Sequence, residues 1–164
     1  MRYRLNDRVK VDGMVGKTPS IRFVGRSDMV SDRRGEKLSD GFVADVLARL
    51  FEERKARPSF AMLAPDGGED GCCYTLYVNA DVGQESGMIL DRLLTANPQY
   101  AYCRRLGQLT MPRLFRLSDD AYSSYCERLR GSGQRLGDIK PVGLSCLDNW
   151  SSYLKGSYIE IEHT

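Results

Sequence analysis

Apolar residues recur along this chain at two spacings: every second position in short runs, and every third or fourth in longer ones. Val9 and Val11, then Ile21 and Phe23, alternate with polar neighbours. Gly13, Gly16 and Pro19 punctuate the interval, which predicts short strands within residues 3–25. From Ser39 the period lengthens. Phe42, Val43, Val46, Leu47, Leu50 and Phe51 share one face of a helix that Ser39 caps and that runs to about Arg54. Residues 60–63 and 74–78 predict paired strands around a glycine-rich turn at 66–71. A second helix over about 86–95 turns Leu90, Leu93 and Leu94 inward, and Asn97 followed by Pro98 opens a third, to about Leu106. Residues 114–117 read as a strand. Ser118, Asp119 and Asp120 then cap a fourth helix, in which Tyr122, Tyr125, Cys126 and Leu129 share a face. Gly131, Gly133 and Gly137 break the chain before 139–144, and 157–162 read as a closing edge strand.

Strands and helices interleave, which predicts an α+β fold. The expected architecture is a mixed β-sheet covered by helices near 39–54 and 118–130, with a small N-terminal β unit at 1–25. Residues 26–38 are polar and contain a glycine, suiting an exposed, hinge-like connection to a domain spanning 39–164. No internal repeat or low-complexity tract changes this picture.

Composition narrows the partners. The 164 residues suit one domain able to bury a core without staples. A formal net charge of +2 is too small to call for nucleic acid or a membrane surface. Arg outnumbers Lys by 18 to 6, which reflects GC-rich coding more simply than phosphate recognition. Five cysteines without a CxxC pair, and one His, exclude a zinc pattern and predict reduced thiols. Charged residues follow Met1 directly and no apolar run has the length of a membrane span, so a cytoplasmic protein is expected.

Four residues stand out for chemistry. Asp7 follows Tyr3-Arg4 and precedes an alternating strand, and a carboxylate at a strand end can chelate two vicinal hydroxyls. Arg26 closes the next strand and can add donors to the same ribose or to a phosphate, while Asp28 suits a pivot. Lys140, beside Pro141 and after a glycine-rich stretch, can be delivered to a developing negative charge. His163 has no serine or cysteine placed to use it as a base, and neither GxxxxGK[ST] nor GxGxxG occurs.

The run from Tyr3 to Val11, with Pro19 to Arg26 and Ser31 to Lys37, resembles the C-terminal part of the Gretchen Hagen family. These are auxin-responsive acyl-acid amido synthetases, and the chain is most similar to their bacterial type. The segments Asn97 to Tyr102, Leu114 to Leu117 and Gly133 to Val142 continue the resemblance in order. It implies adenylate-forming chemistry: a carboxylic acid and ATP give an acyl-adenylate, which an amine then converts to an amide. It further implies that 1–25 belongs with a large N-terminal adenylation domain and that 39–164 is the mobile C-terminal domain. Asp7 and Arg26 would bind the nucleotide, Asp28 would border the swivel, and Lys140 would be the mobile catalytic lysine. Mg2+ would accompany ATP only in the complete enzyme, with the large domain supplied in cis or in trans. Asn6 departs from the glycine common before the aspartate. A second class of function is a stand-alone binding module derived from the same domain.

Overall fold

The computed structural model describes residues 7–26, 30–68, 71–118, 121–135, 137 and 139–159. Alternation along the first strands produces an antiparallel hairpin, β1 (Asp7–Val15) with β2 (Thr18–Arg26). Gly16 takes a φ of 63° in the two-residue turn, a left-handed conformation that glycine adopts without steric cost. Register shifts after Arg8 and Val11 bend the ribbon.

A two-residue pair follows, β3 (Val30–Ser31) with β4 (Leu38–Ser39), and leads into α1 (Asp40–Arg54). Ser39 is the predicted cap: its hydroxyl accepts the Phe42 N–H. The main sheet has the order β5 (Ala61–Gly68), β6 (Gly71–Val78), β7 (Arg113–Leu117), β8 (Gly156–Tyr158). Only β6 and β7 run parallel, so the sheet is mixed. The crossover between them carries α2 (Ser86–Leu94) and α3 (Pro98–Arg105), as parallel neighbours require. Asn97 caps α3 by accepting the N–H groups of Gln99 and Tyr100. The fourth helix, α4, spans Ala121–Gly131. The α+β class and the mixed sheet under helices are therefore present.

Each strand feeds two cores, because successive side chains point to opposite faces. On one face Leu63, Tyr74, Leu76, Val78 and Leu114 meet Val43, Val46, Leu47 and Leu50 of α1 and the buried leucines of α2. On the other, Met62, Ala64, Tyr77, Phe115 and Leu117 meet Tyr125, Cys126 and Leu129 of α4, with Trp150 and Leu154. A short 3-10 helix at Trp150–Ser152 carries that tryptophan inward.

Residues 30–39 are more deeply set than their polar composition predicts. Ser31, Glu36 and Leu38 are buried. The Glu36 carboxylate accepts the N–H groups of Arg33 (2.8 Å) and Arg34 (2.7 Å) and the Tyr74 hydroxyl (2.5 Å). Ser31 Oγ also lies 2.6 Å from the Tyr74 oxygen, so the segment is stapled to β6. Among the described residues no helix is long and apolar enough to cross a membrane.

Candidate functional site

The hairpin brings together two of the four residues singled out from the sequence. Asp7 opens β1 and Arg26 closes β2, and the antiparallel register sets them directly opposite each other. A 19-residue sequence gap thus becomes one cross-strand pair. The hairpin exposes Val11, Met14, Val15 and Ile21, the last 60% accessible. Asp28 lies outside the described residues.

Lys140 sits in a different setting. Its residue is exposed, but the chain beside it is anchored on both sides. Ile139 is buried among the aromatic residues, and Val142 packs on the same cluster. The Tyr125 hydroxyl donates to the Lys140 carbonyl at 3.0 Å. Four residues on, Leu144 makes a parallel bridge to Leu63 at the outer edge of β5. Leu63 N–H donates to Gly143 O and Ser145 N–H to Leu63 O, both at 2.8 Å. The Leu144 N–H is taken by Asp40 Oδ1 at the start of α1. A Cβ on Gly143 would come 3.4 Å from the Ala44 backbone, so this loop lies tightly against the helix.

The Ser31–Lys37 segment is also joined to the chain that follows the Leu144 bridge. Arg33 Nη2 reaches Cys146 O and Asp148 Oδ2, each at 3.1 Å. Asp148 O accepts from Arg128 at 2.6 Å, and the Arg128 guanidinium lies 4.1 Å from the centroids of both Trp150 and Tyr153. Burial lowers the Arg128 pKa, yet the two ring faces offer it negative charge density in place of water. Trp150 Nε1–H donates to Ser145 Oγ at 3.0 Å. Sequence reasoning assigned Trp150 no role, and Arg33 and Glu36 entered only within the Ser31–Lys37 resemblance. The one usable signal was that the chain has a single Trp, a large side chain that needs a partner for its N–H when buried.

Other ionisable groups are structural. Asp91 holds Arg104 through two contacts of 2.8 and 2.9 Å, and this hydrogen bonding raises the Arg104 pKa. Asp66 accepts Thr75 and Tyr158 hydroxyls at 2.9 and 2.7 Å. Cys72 and Cys73 point to opposite faces of β6, and none of the five cysteines is in a disulfide. Among the described residues no group of three or more His, Cys, Asp or Glu gathers to hold a metal ion.

This arrangement of a mixed sheet between two unlike helical layers, with an appended hairpin, is a fold that also occurs within two solved acyl acid amido synthetases. Two solved structures carry the likeness. A GH3.15 acyl acid amido synthetase aligns with a TM-score of 0.70 and 16% identity, over 85% of this chain and 28% of that one. An AtGH3.15 acyl acid amido synthetase in complex with 2,4-DB aligns at 0.75 and 14% identity, over 98% of this chain and 32% of that one. The chain therefore spans about a third of the length of these neighbours. No family model matches the sequence, and no curated protein sequence does.

Proposed function

We propose that this chain is the C-terminal domain of an adenylate-forming acyl-acid amido synthetase, working with a large adenylation domain in cis or in trans. The observation that carries this reading is the alignment of 98% of the chain, hairpin included, on an amido synthetase of which it spans 32%. Two features of the hairpin support it. Asp7 and Arg26 stand opposite each other, so a carboxylate and a guanidinium originate at one strand end, as gripping ribose hydroxyls requires. The exposed apolar residues Val11, Met14, Val15 and Ile21 suit a ribbon that rests on a larger body.

In this reading Asp7 accepts two hydrogen bonds from the ribose and Arg26 adds donors to the nucleotide. Asp28 is the pivot between hairpin and domain. Lys140 enters the site when the domain closes and neutralises charge as the carboxylate attacks the α-phosphate and pyrophosphate leaves. The domain then rotates away, and an amine displaces the nucleotide to form the amide. ATP would bring Mg2+ only in the complete enzyme. The acids and amines are small molecules, and the setting is cytoplasmic.

Pyrophosphate exchange tests the reading. With the large domain present, a carboxylic acid should support exchange that the isolated chain does not catalyse, because charge stabilisation needs groups from both domains at once. Lys140→Ala should raise the adenylation barrier by roughly 2–4 kcal/mol. Asp7→Ala should chiefly weaken nucleotide binding, through loss of two charge-assisted hydrogen bonds of about 1.5–3 kcal/mol each. Robust exchange by the isolated chain would overturn the domain reading. Exchange that ignores Lys140→Ala would remove that residue from the reaction.

A further inference from the structure

We infer that Tyr125 is a positioning residue for Lys140: its hydroxyl, fixed by ring packing within the sheet's second core, sets the main chain from which the lysine side chain projects. The inference rests on the reading of Lys140 given above and goes beyond it to a residue on another element. Tyr125 belongs to α4, 15 positions before the loop that it holds, and donates to the Lys140 carbonyl at 3.0 Å. The ring has little freedom. Tyr125 is 2% exposed, stacks on Trp150 at a centroid distance of 5.4 Å and 21° between planes, and meets Phe60 edge-on at 5.5 Å. Trp150 is itself held through its N–H to Ser145, which is hydrogen-bonded to β5. The ring, its stacking partner and the loop are thereby referenced to one sheet.

Burial pushes the Tyr125 hydroxyl up to about 12, so it is a hydrogen-bond donor at any working pH. This hydroxyl, aimed at the carbonyl of the exposed lysine, fixes the side chain's origin without reducing its reach. The buried Ile139 on one side and the Leu144 bridge on the other hold the flanking chain. Lys140 consequently travels with the whole domain, and its loop does not have to rearrange to deliver it. Electrostatic stabilisation is most effective when the charged group is preorganised in this way, because no reorganisation is left for the moment of reaction.

Tyr125→Phe removes the hydroxyl and keeps the ring. Two measurements separate the consequences. In the chain itself, amide hydrogen exchange over residues 139–144 should quicken by roughly two- to tenfold, the range that one net hydrogen bond sets. Tyr122→Phe, which removes the hydroxyl of the neighbouring ring 6.2 Å away, should leave that segment unchanged. With the large domain present, Tyr125→Phe should lower the maximal rate of pyrophosphate exchange by a similar factor while the KM for ATP holds. In a Lys140→Ala background the same substitution should have no further effect, whereas a merely structural role would lower the rate equally in both. Unchanged amide exchange at 139–144, or equal losses with and without Lys140, would overturn the inference. If Lys140→Ala itself leaves pyrophosphate exchange intact, the assigned reaction fails, and amide exchange still decides whether Tyr125 positions the loop.

Discussion

The two faces of the central sheet are built from different materials and do different work. The face under α1, α2 and α3 is mostly aliphatic: Leu47, Leu50, Leu63, Leu76, Leu90 and Leu94 bury area without direction. The face under α4 is aromatic, and its rings carry polar tips that reach partners on loops and on β5. Tyr125 holds Lys140, Trp150 holds Ser145, and Tyr158 holds Asp66. Aliphatic packing fixes where whole elements lie, since it depends on area alone. A ring with an O–H or N–H also fixes where a particular partner atom lies, because a hydrogen bond is lost when its geometry departs from line. The residue proposed to enter the active site lies over the second kind of core.

Alkali should produce the largest effect, and it acts on both faces. Burial raises the pKa of Tyr74 and Tyr100 on the aliphatic side and of Tyr77 and Tyr125 on the aromatic side. An unfolded tyrosine ionises near pH 10, whereas Tyr125 is pushed up to about 12. Between those values the unfolded chain binds fewer protons than the native one, so stability present below pH 10 is lost as pH rises. Each such tyrosine contributes a loss of about 1.4 kcal/mol per pH unit over its interval. Urea midpoints should therefore fall steeply from pH 10 to 11.5. Tyr74→Phe and Tyr125→Phe should each flatten the fall by one share, and a midpoint constant across that range would refute the account for both faces.

Leu50→Ala sharpens the contrast. Leu50 is fully buried in the aliphatic core, and its truncation should cost about 2–5 kcal/mol by urea unfolding. The near-ultraviolet circular dichroism of Trp150, on the opposite face, should persist under native conditions. Its collapse would mean that the sheet does not separate two cores.

Much of this frame was legible in the sequence. Helical spacing with Ser39 and Asn97 as caps located α1 and α3 to within a residue or two, because periodicity and capping are local. The second strand pair was read short. Asp66, Gly67 and Gly68 have turn composition, yet they pair with Cys73, Cys72 and Gly71 in the ladder. The reason is tertiary: Thr75 and Tyr158 satisfy the Asp66 carboxylate, so an aspartate is accommodated in a strand. The same limit applies to Glu36. Its place in a polar run gave no sign that Tyr74, on a strand 38 positions away, would bury it. Asp7 and Arg26 were proposed from motif and resemblance, and the register now sets them opposite each other. What held Lys140 was not legible, since a tyrosine read as one more apolar residue on a helix face supplied the hydroxyl that binds its carbonyl.

The smallest effect concerns β8, where the aromatic face ends. Tyr158 packs edge-on against Phe115 at 5.0 Å, lies under the Arg113 guanidinium at 3.9 Å and donates to Asp66 at 2.7 Å. Tyr158→Phe keeps both ring contacts and removes only the donor, and Thr75 continues to bond the carboxylate. The loss should be about 0.5–1.5 kcal/mol, the net value of one hydrogen bond, below that of Leu50→Ala. It should also be local. Ile159 N–H, which donates to Leu114 O at 2.9 Å, should exchange faster, while Leu144 N–H, held by Asp40 at 2.9 Å, should not. That pattern would show that each polar tip of the aromatic face governs its own neighbourhood. Faster exchange at Leu144 as well would instead mean that the rings act as one cooperative body, and that Tyr125 shares its hold on Lys140 with the rest of the face.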